Sequence, residues 1–197
     1  MQHLGFYIIF VLAMLNFPTE EKVSFEVLHR DKSIGVLEAV KETYHKEVVY
    51  NNHTSIDTRI ITKIEVNYGY NVTYDNNGLV EASAQIKFNG KERTNAHTER
   101  KGKNYLFFKD NNEPEKLDQE IDYSTVKLIF EEPKNVNRVY AEEHGEFHSI
   151  KRIASNTYLK TSPDGKENTY YYKNGILEKA EIDGGVIKFV IKRFPDS

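Results

Sequence analysis

Cysteine is absent from all 197 residues, which excludes disulfides, thiolate metal sites, thiol redox chemistry and a lipid-modified N-terminal cysteine. Tryptophan is absent as well, which argues against a carbohydrate platform, and Met occurs only twice. There is no long basic block: 27 Lys and Arg stand against 30 Asp and Glu, net −3, so the charge footprint of a nucleic-acid binder is missing. No Gly-x-Ser-x-Gly elbow occurs, and the glycines are dispersed among turns rather than gathered into a phosphate cradle. Glu131-Glu132 and Glu142-Glu143 are adjacent carboxylates, and neighbours on a strand face opposite sides, so neither pair is placed to share a proton. These absences predict a non-catalytic protein without a cofactor.

One apolar run exists. Leu4 to Phe17 spans 14 residues interrupted only by Gly5 and Asn16. It is too short for a comfortable transmembrane helix and fits the core of a secretory signal. No Lys or Arg precedes it and no clean small-x-small cleavage site follows, so an uncleaved anchor is the alternative, and membrane contact is expected only through residues 4–17. Charges begin at Glu20. The expected organisation is a signal or anchor over residues 1–18 and one exported antiparallel β domain over 19–197. Without disulfides that domain must be held by its core, which draws on 13 Tyr and 11 Phe.

The remaining chain reads as strands punctuated by turn signals. Val23, Phe25 and Val27 alternate with polar neighbours, and Arg30-Asp31-Lys32 turns the chain back. Tyr44 to Asn51 is expected to close at Asn51-Asn52. A longer run from Ile56 to Tyr74 places Ile60, Thr62, Ile64 and Val66 on one face. Asn77-Gly78, Asn89-Gly90 and Asn174-Gly175 are hairpin turns, because Asn and Gly accept positive φ cheaply. The spacing of about 10 to 14 residues is the rhythm of a hairpin-connected sheet. The fold class is therefore all-β: a strongly curved antiparallel sheet or open β-barrel built from hairpins. One short helix of about two turns is expected from Ser124 to Phe130, with Ser124 as cap, Val126, Ile129 and Phe130 buried and Pro133 as terminator; a strand is the alternative, since Val126, Leu128 and Phe130 also alternate.

Several of these segments carry a resemblance. Lys32-Ser33-Ile34-Gly35, Tyr123-Ser124 with Phe130-x-Glu132-Pro133, Gly145-x-Phe147, and Pro163-Asp164-Gly165 followed by Tyr170-x-Tyr172-x-Asn174-Gly175 resemble an uncharacterised family of exported bacterial proteins, best populated in Bacteroidetes-type bacteria. The family is similar, more distantly, to exported proteins with strongly curved sheets, some of them like periplasmic lipoprotein carriers. The resemblance implies a curved β-sheet fold and a location in the periplasm or outer envelope of a bacterium, and it transfers no functional residue.

Two constellations merit attention. Tyr68 and Tyr70 share a strand face, as do Tyr170 and Tyr172. They are either ordinary cross-strand packing or the lining of an apolar concavity that takes a lipid or other hydrophobic ligand. His144, Glu146 and His148 would project from one face of a strand, a donor set suited to Zn²⁺ if Gly145 bulges the strand; the other reading is a solvated face with Gly145 packed under an aromatic ring. A third possibility for the molecule as a whole is a structural module with a filled core that meets another envelope protein.

Overall fold

The computed structural model describes residues 18–59, 63–110, 112–184 and 187–195. The alternating pattern becomes 14 strands in a single antiparallel sheet. A first meander comprises β1 (Thr19–His29), β2 (Lys32–Thr43), β3 (Glu47–Arg59), β4 (Lys63–Asp75), β5 (Gly78–Phe88), β6 (Lys91–Lys101), β7 (Asn104–Lys109) and β8 (Glu115–Leu117). A second comprises β9 (Arg138–Ala141), β10 (Glu146–Ala154), β11 (Thr157–Thr161), β12 (Glu167–Lys173), β13 (Ile176–Asp183) and β14 (Lys188–Arg193). The two meet where β1 pairs with β14, Phe25 opposite Arg193 and Leu28 opposite Val190. The first and last strands thus lie mid-sheet, and β8 and β9 form its edges.

The sheet is not closed by a ladder, yet it rolls far enough for one edge to lie against the other. The Tyr140 hydroxyl on β9 meets Thr98 Oγ1 on β6 at 2.7 Å. A Cβ on Gly145, in the β9–β10 turn, would fall 2.3 Å from the Phe107 ring on β7. Gly145 also has φ of +70°, so the turn demands glycine twice over. The curved, all-β architecture read from the hairpin rhythm is the one observed.

Because successive strands are antiparallel, their turns alternate between the two ends of the roll. Residues 89–90, 142–145, 162–166 and 184 gather at one end; residues 44–46, 76–77, 155–156 and 174–175 gather at the other. The connection from β8 to β9 enters the interior at this second end and fills it. Ile121, Val126, Leu128, Ile129 and Phe130 are buried there, each side chain contributing about 1.5–3 kcal/mol. Three tyrosines tie the plug to the walls. Tyr50 on β3 donates to Glu131 Oε1 at 2.8 Å, Tyr158 on β11 to Glu132 Oε1 at 2.9 Å, and Tyr172 on β12 to the Leu128 carbonyl at 2.7 Å. Glu131 and Glu132 therefore reach opposite walls.

Two local expectations are corrected. The segment at Ser124 is a 3-10 helix, Thr125–Ile129, and not two turns of α-helix; Ser124 is extended and its side chain caps nothing. The free N–H of Val126 instead donates to Glu142 Oε1 at 3.1 Å, and Thr125 Oγ1 donates to the other oxygen of the same carboxylate. Asn51-Asn52 is not a turn either. Both residues pair within β3 and β4, Asn51 with Asn71 and Asn52 with Tyr70, and the strand continues to Arg59. Ladder pairing on both sides outweighs the turn preference of Asn. Ile60 and Thr62 lie outside the described residues, while Ile64 and Val66 follow the expected alternation in β4.

An internal cavity as the candidate functional site

The half of the roll that the plug leaves unfilled holds a cavity of about 790 Å³. Its apolar walls come from inward positions on alternate residues of the strands: Leu37, Val66, Tyr68, Ile86, Phe88 and Ile191. The plug supplies the floor through Val126 and Ile129, and the turns at 162–166 and 183–184 frame the mouth. At the rim Arg93 lies over the Phe88 ring, 5.7 Å from its centroid.

A polar cluster occupies the wall made by the β9–β10 turn, β10 and β11. Tyr70 donates to Glu143 Oε2 at 2.9 Å, and His144 Nε2 lies 2.6 Å from Glu143 Oε1. Burial alone would raise the Glu143 pKa, but the bonds from His144 and Tyr70 together with the charge of Lys160 hold it below the ordinary carboxylate value. The His144 and His148 rings stack at 6.1 Å. His148 Nε2 lies 3.1 Å from Glu146 Oε1, and Lys160 Nζ lies 3.2 Å from His148 Nδ1. A lysine can only donate and a carboxylate only accept, so His148 carries its proton on Nε2 and accepts at Nδ1. Burial, and then the neighbouring Lys160, lowers the His148 pKa, which keeps the ring neutral. Burial likewise lowers that of Lys160, against the pull of Glu142, Glu143 and Glu146.

The structure brings Tyr68, Tyr70 and Tyr170 of the predicted aromatic set to the cavity wall. Burial pushes the Tyr68 pKa up to about 12 and raises those of Tyr70 and Tyr170. Tyr172 is absent from that wall; it shares the inward face of β12 with Tyr170 but lies two residues nearer the plug end, edge-on to Tyr158 at 5.7 Å, holding the plug.

His144, Glu146 and His148 also line the cavity, but not as a ligand set. His144 lies in the turn before β10, both nitrogens of His148 are engaged, and Gly145 packs under Phe107. Among the described residues no group of three or more His, Cys, Asp or Glu side chains is placed to hold a metal ion. Lys160 is not singled out by the sequence, and Asn52 reads there as part of a turn rather than of a cavity wall. A lysine within Tyr158-Leu159-Lys160-Thr161 reads as solvent-facing until the register places it on the same inward face as Tyr158.

Fold and hollow together define an all-β, barrel-like protein with one filled end and one open end. The chain belongs to the family described as a domain of unknown function, DUF6134, which matches residues 25–193. No curated protein matches it. Among solved structures it is similar to the crystal structure of a beta-barrel-like protein of domain of unknown function DUF1849 from Brucella abortus. The two share 12% identity and a TM-score of 0.52, over 90% of this chain and 95% of that one. At that identity the likeness concerns the fold alone.

Proposed function

We propose that this is a non-catalytic binding protein of the bacterial envelope that holds a lipid or other hydrophobic molecule in the open half of its rolled sheet. The observation that carries the reading is the cavity of about 790 Å³ with aliphatic and aromatic walls, within the size range of small-molecule sites. Covering such walls with an apolar chain removes them from water, which favours a ligand there. The apolar run at Leu4 to Phe17, directly before the first strand, supports export. A partner-docking role has less support. The exposed large apolar side chains Val36, Tyr44, Ile153, Ile176 and Phe194 are spread over separate strands and their ends.

The test is mass spectrometry of an organic extract of the protein recovered from a bacterial envelope after expression of the full chain. One lipid class present near one per protein is the expected result. A clean extract from folded protein, together with failure to take up any apolar probe, would overturn it.

A further inference from the structure

The polar groups at the open end can be accounted for one by one, and the remainder has a definite chemistry. Every buried acid there is already partnered within the protein. Glu142 accepts from Thr125 and from the Val126 N–H, and Glu143 accepts from Tyr70 and is engaged by His144. Glu146 accepts from His148 and keeps contact with solvent. What is left over beside these acids is donor capacity. Lys160 is 7% exposed and faces the cavity, yet its ammonium has one hydrogen-bond partner among the described residues, the neutral His148 Nδ1, and no carboxylate within ion-pair distance. An ammonium has three hydrogens to place, and leaving them unmet in a low-dielectric interior is costly. Asn52 lies on the same cavity wall at 7% exposure, and its amide oxygen has no hydrogen-bond partner among the described residues. That oxygen is an acceptor and takes no part in reading an anion.

Resting on the reading of the cavity as a ligand site, we propose that its occupant is an amphiphile with a single negative charge on an oxygen headgroup, of carboxylate type, and that Lys160 is the group that reads this headgroup. The apolar chain lies against Val66, Ile86, Phe88 and Ile191, and one headgroup oxygen takes a Lys160 hydrogen that the protein leaves unused. His148, held between Glu146 and Lys160, orients the ammonium. A cationic headgroup would meet Lys160 with no unengaged buried acid to offset it. A dianion would bring a second negative charge near Glu143 and Glu146, whose charges already reach Lys160.

The experiment uses the full-chain protein recovered from the envelope and stripped of lipid. Displacement of the neutral fluorophore N-phenyl-1-naphthylamine is measured with dodecanoic acid, dodecanol and dodecylamine at neutral pH. The acid is expected to bind about tenfold or more tightly than the alcohol, the amine more weakly than either. Lys160→Met is expected to bring the acid down to the alcohol's affinity and leave the alcohol unchanged, and Lys160→Arg to retain part of the preference. Equal affinity for acid and alcohol in the unmutated protein, tighter binding of the amine, or a preference that survives Lys160→Met overturns the assignment; should that variant not fold, Lys160→Gln takes its place. If the fluorophore and all three amphiphiles fail to bind, the cavity reading itself falls, which separates that failure from failure of the headgroup assignment.

Discussion

At the scale of single residues, the acid that most shapes the interior is Glu142, 1% exposed and bonded to both Thr125 and Val126. It replaces the N-cap that Ser124 does not provide, and it sits beside Glu143, so plug and cavity wall are fastened through neighbouring positions. Glu142→Ala leaves the Val126 N–H buried and unpaired and is expected to cost about 1–3 kcal/mol, read as a lower midpoint in urea with unchanged slope. Burial raises the Glu142 pKa. The folded chain therefore holds this proton more tightly than the unfolded chain. Its contribution to stability is complete below the unfolded carboxylate value and is lost as pH rises through the folded one. Glu142→Gln should remove that part of the pH dependence, and an unchanged stability-versus-pH curve would contradict the assignment. None of this was visible in Glu142-Glu143, which reads as a polar pair until the turn at Gly145 drives one carboxylate into the plug.

At the scale of elements, hairpin punctuation was the legible part. The turns at Asn77-Gly78, Asn89-Gly90 and Asn174-Gly175 stand where Asn and Gly chemistry puts them. A shared pattern of Asn-Gly, two aliphatics and Glu opens both β5 and β13, and the two hairpins carry the same irregularity. Register shifts at Thr73/Tyr74 and at Tyr171/Tyr172 set Tyr74 opposite Leu79 and Tyr172 opposite Leu177. Tyr74 and Tyr172 each stand one residue from the end of their strand, beside the turns of the plug end, which is why Tyr172 is missing from the cavity wall. What sequence could not convey was the register between neighbouring strands, which keeps Asn51 and Asn52 extended and Lys160 inward. Gly35, part of the Lys32-Ser33-Ile34-Gly35 motif, is another case. A Cβ there would fall 2.0 Å from the Ser55 carbonyl oxygen, next to the bulge at Val27/Leu28. Gly35→Ala must push β2 and β3 apart and is expected to destabilise by about 2–4 kcal/mol, measured by thermal or denaturant unfolding, against about 1–2 kcal/mol for Gly90→Ala, which meets no neighbour and is opposed only by its φ of +75°.

At the scale of the molecule, two meanders are each assembled from contacts between neighbours in sequence, and one non-local seam, β1 against β14, makes them a single sheet. Phe25, Val27 and Ile191 along that seam are buried, so its loss would uncover core on both sides. A chain ending at residue 187 is expected to lose cooperative unfolding altogether, seen as the disappearance of a single sigmoidal transition by circular dichroism. A truncated chain that still melted in one sharp step would show that the first meander is stable alone. The seam also joins residues far apart in the chain, so its formation is the expected slow step of folding.

The way the sheet terminates bears on how the protein behaves in a crowded compartment. One border, β8, is only three residues long and carries Glu115 and Lys116. The other, β9, is covered on its outer side, where Tyr140 receives backbone contacts from Tyr123 and Ser124. A sheet of 14 strands with a long bare margin would invite copies of itself to add on, strand by strand. Here one margin is too brief and charged, and the other is occupied by the same segment that enters the roll as the plug, so filling the interior and guarding against fibril growth are accomplished by a single stretch of chain.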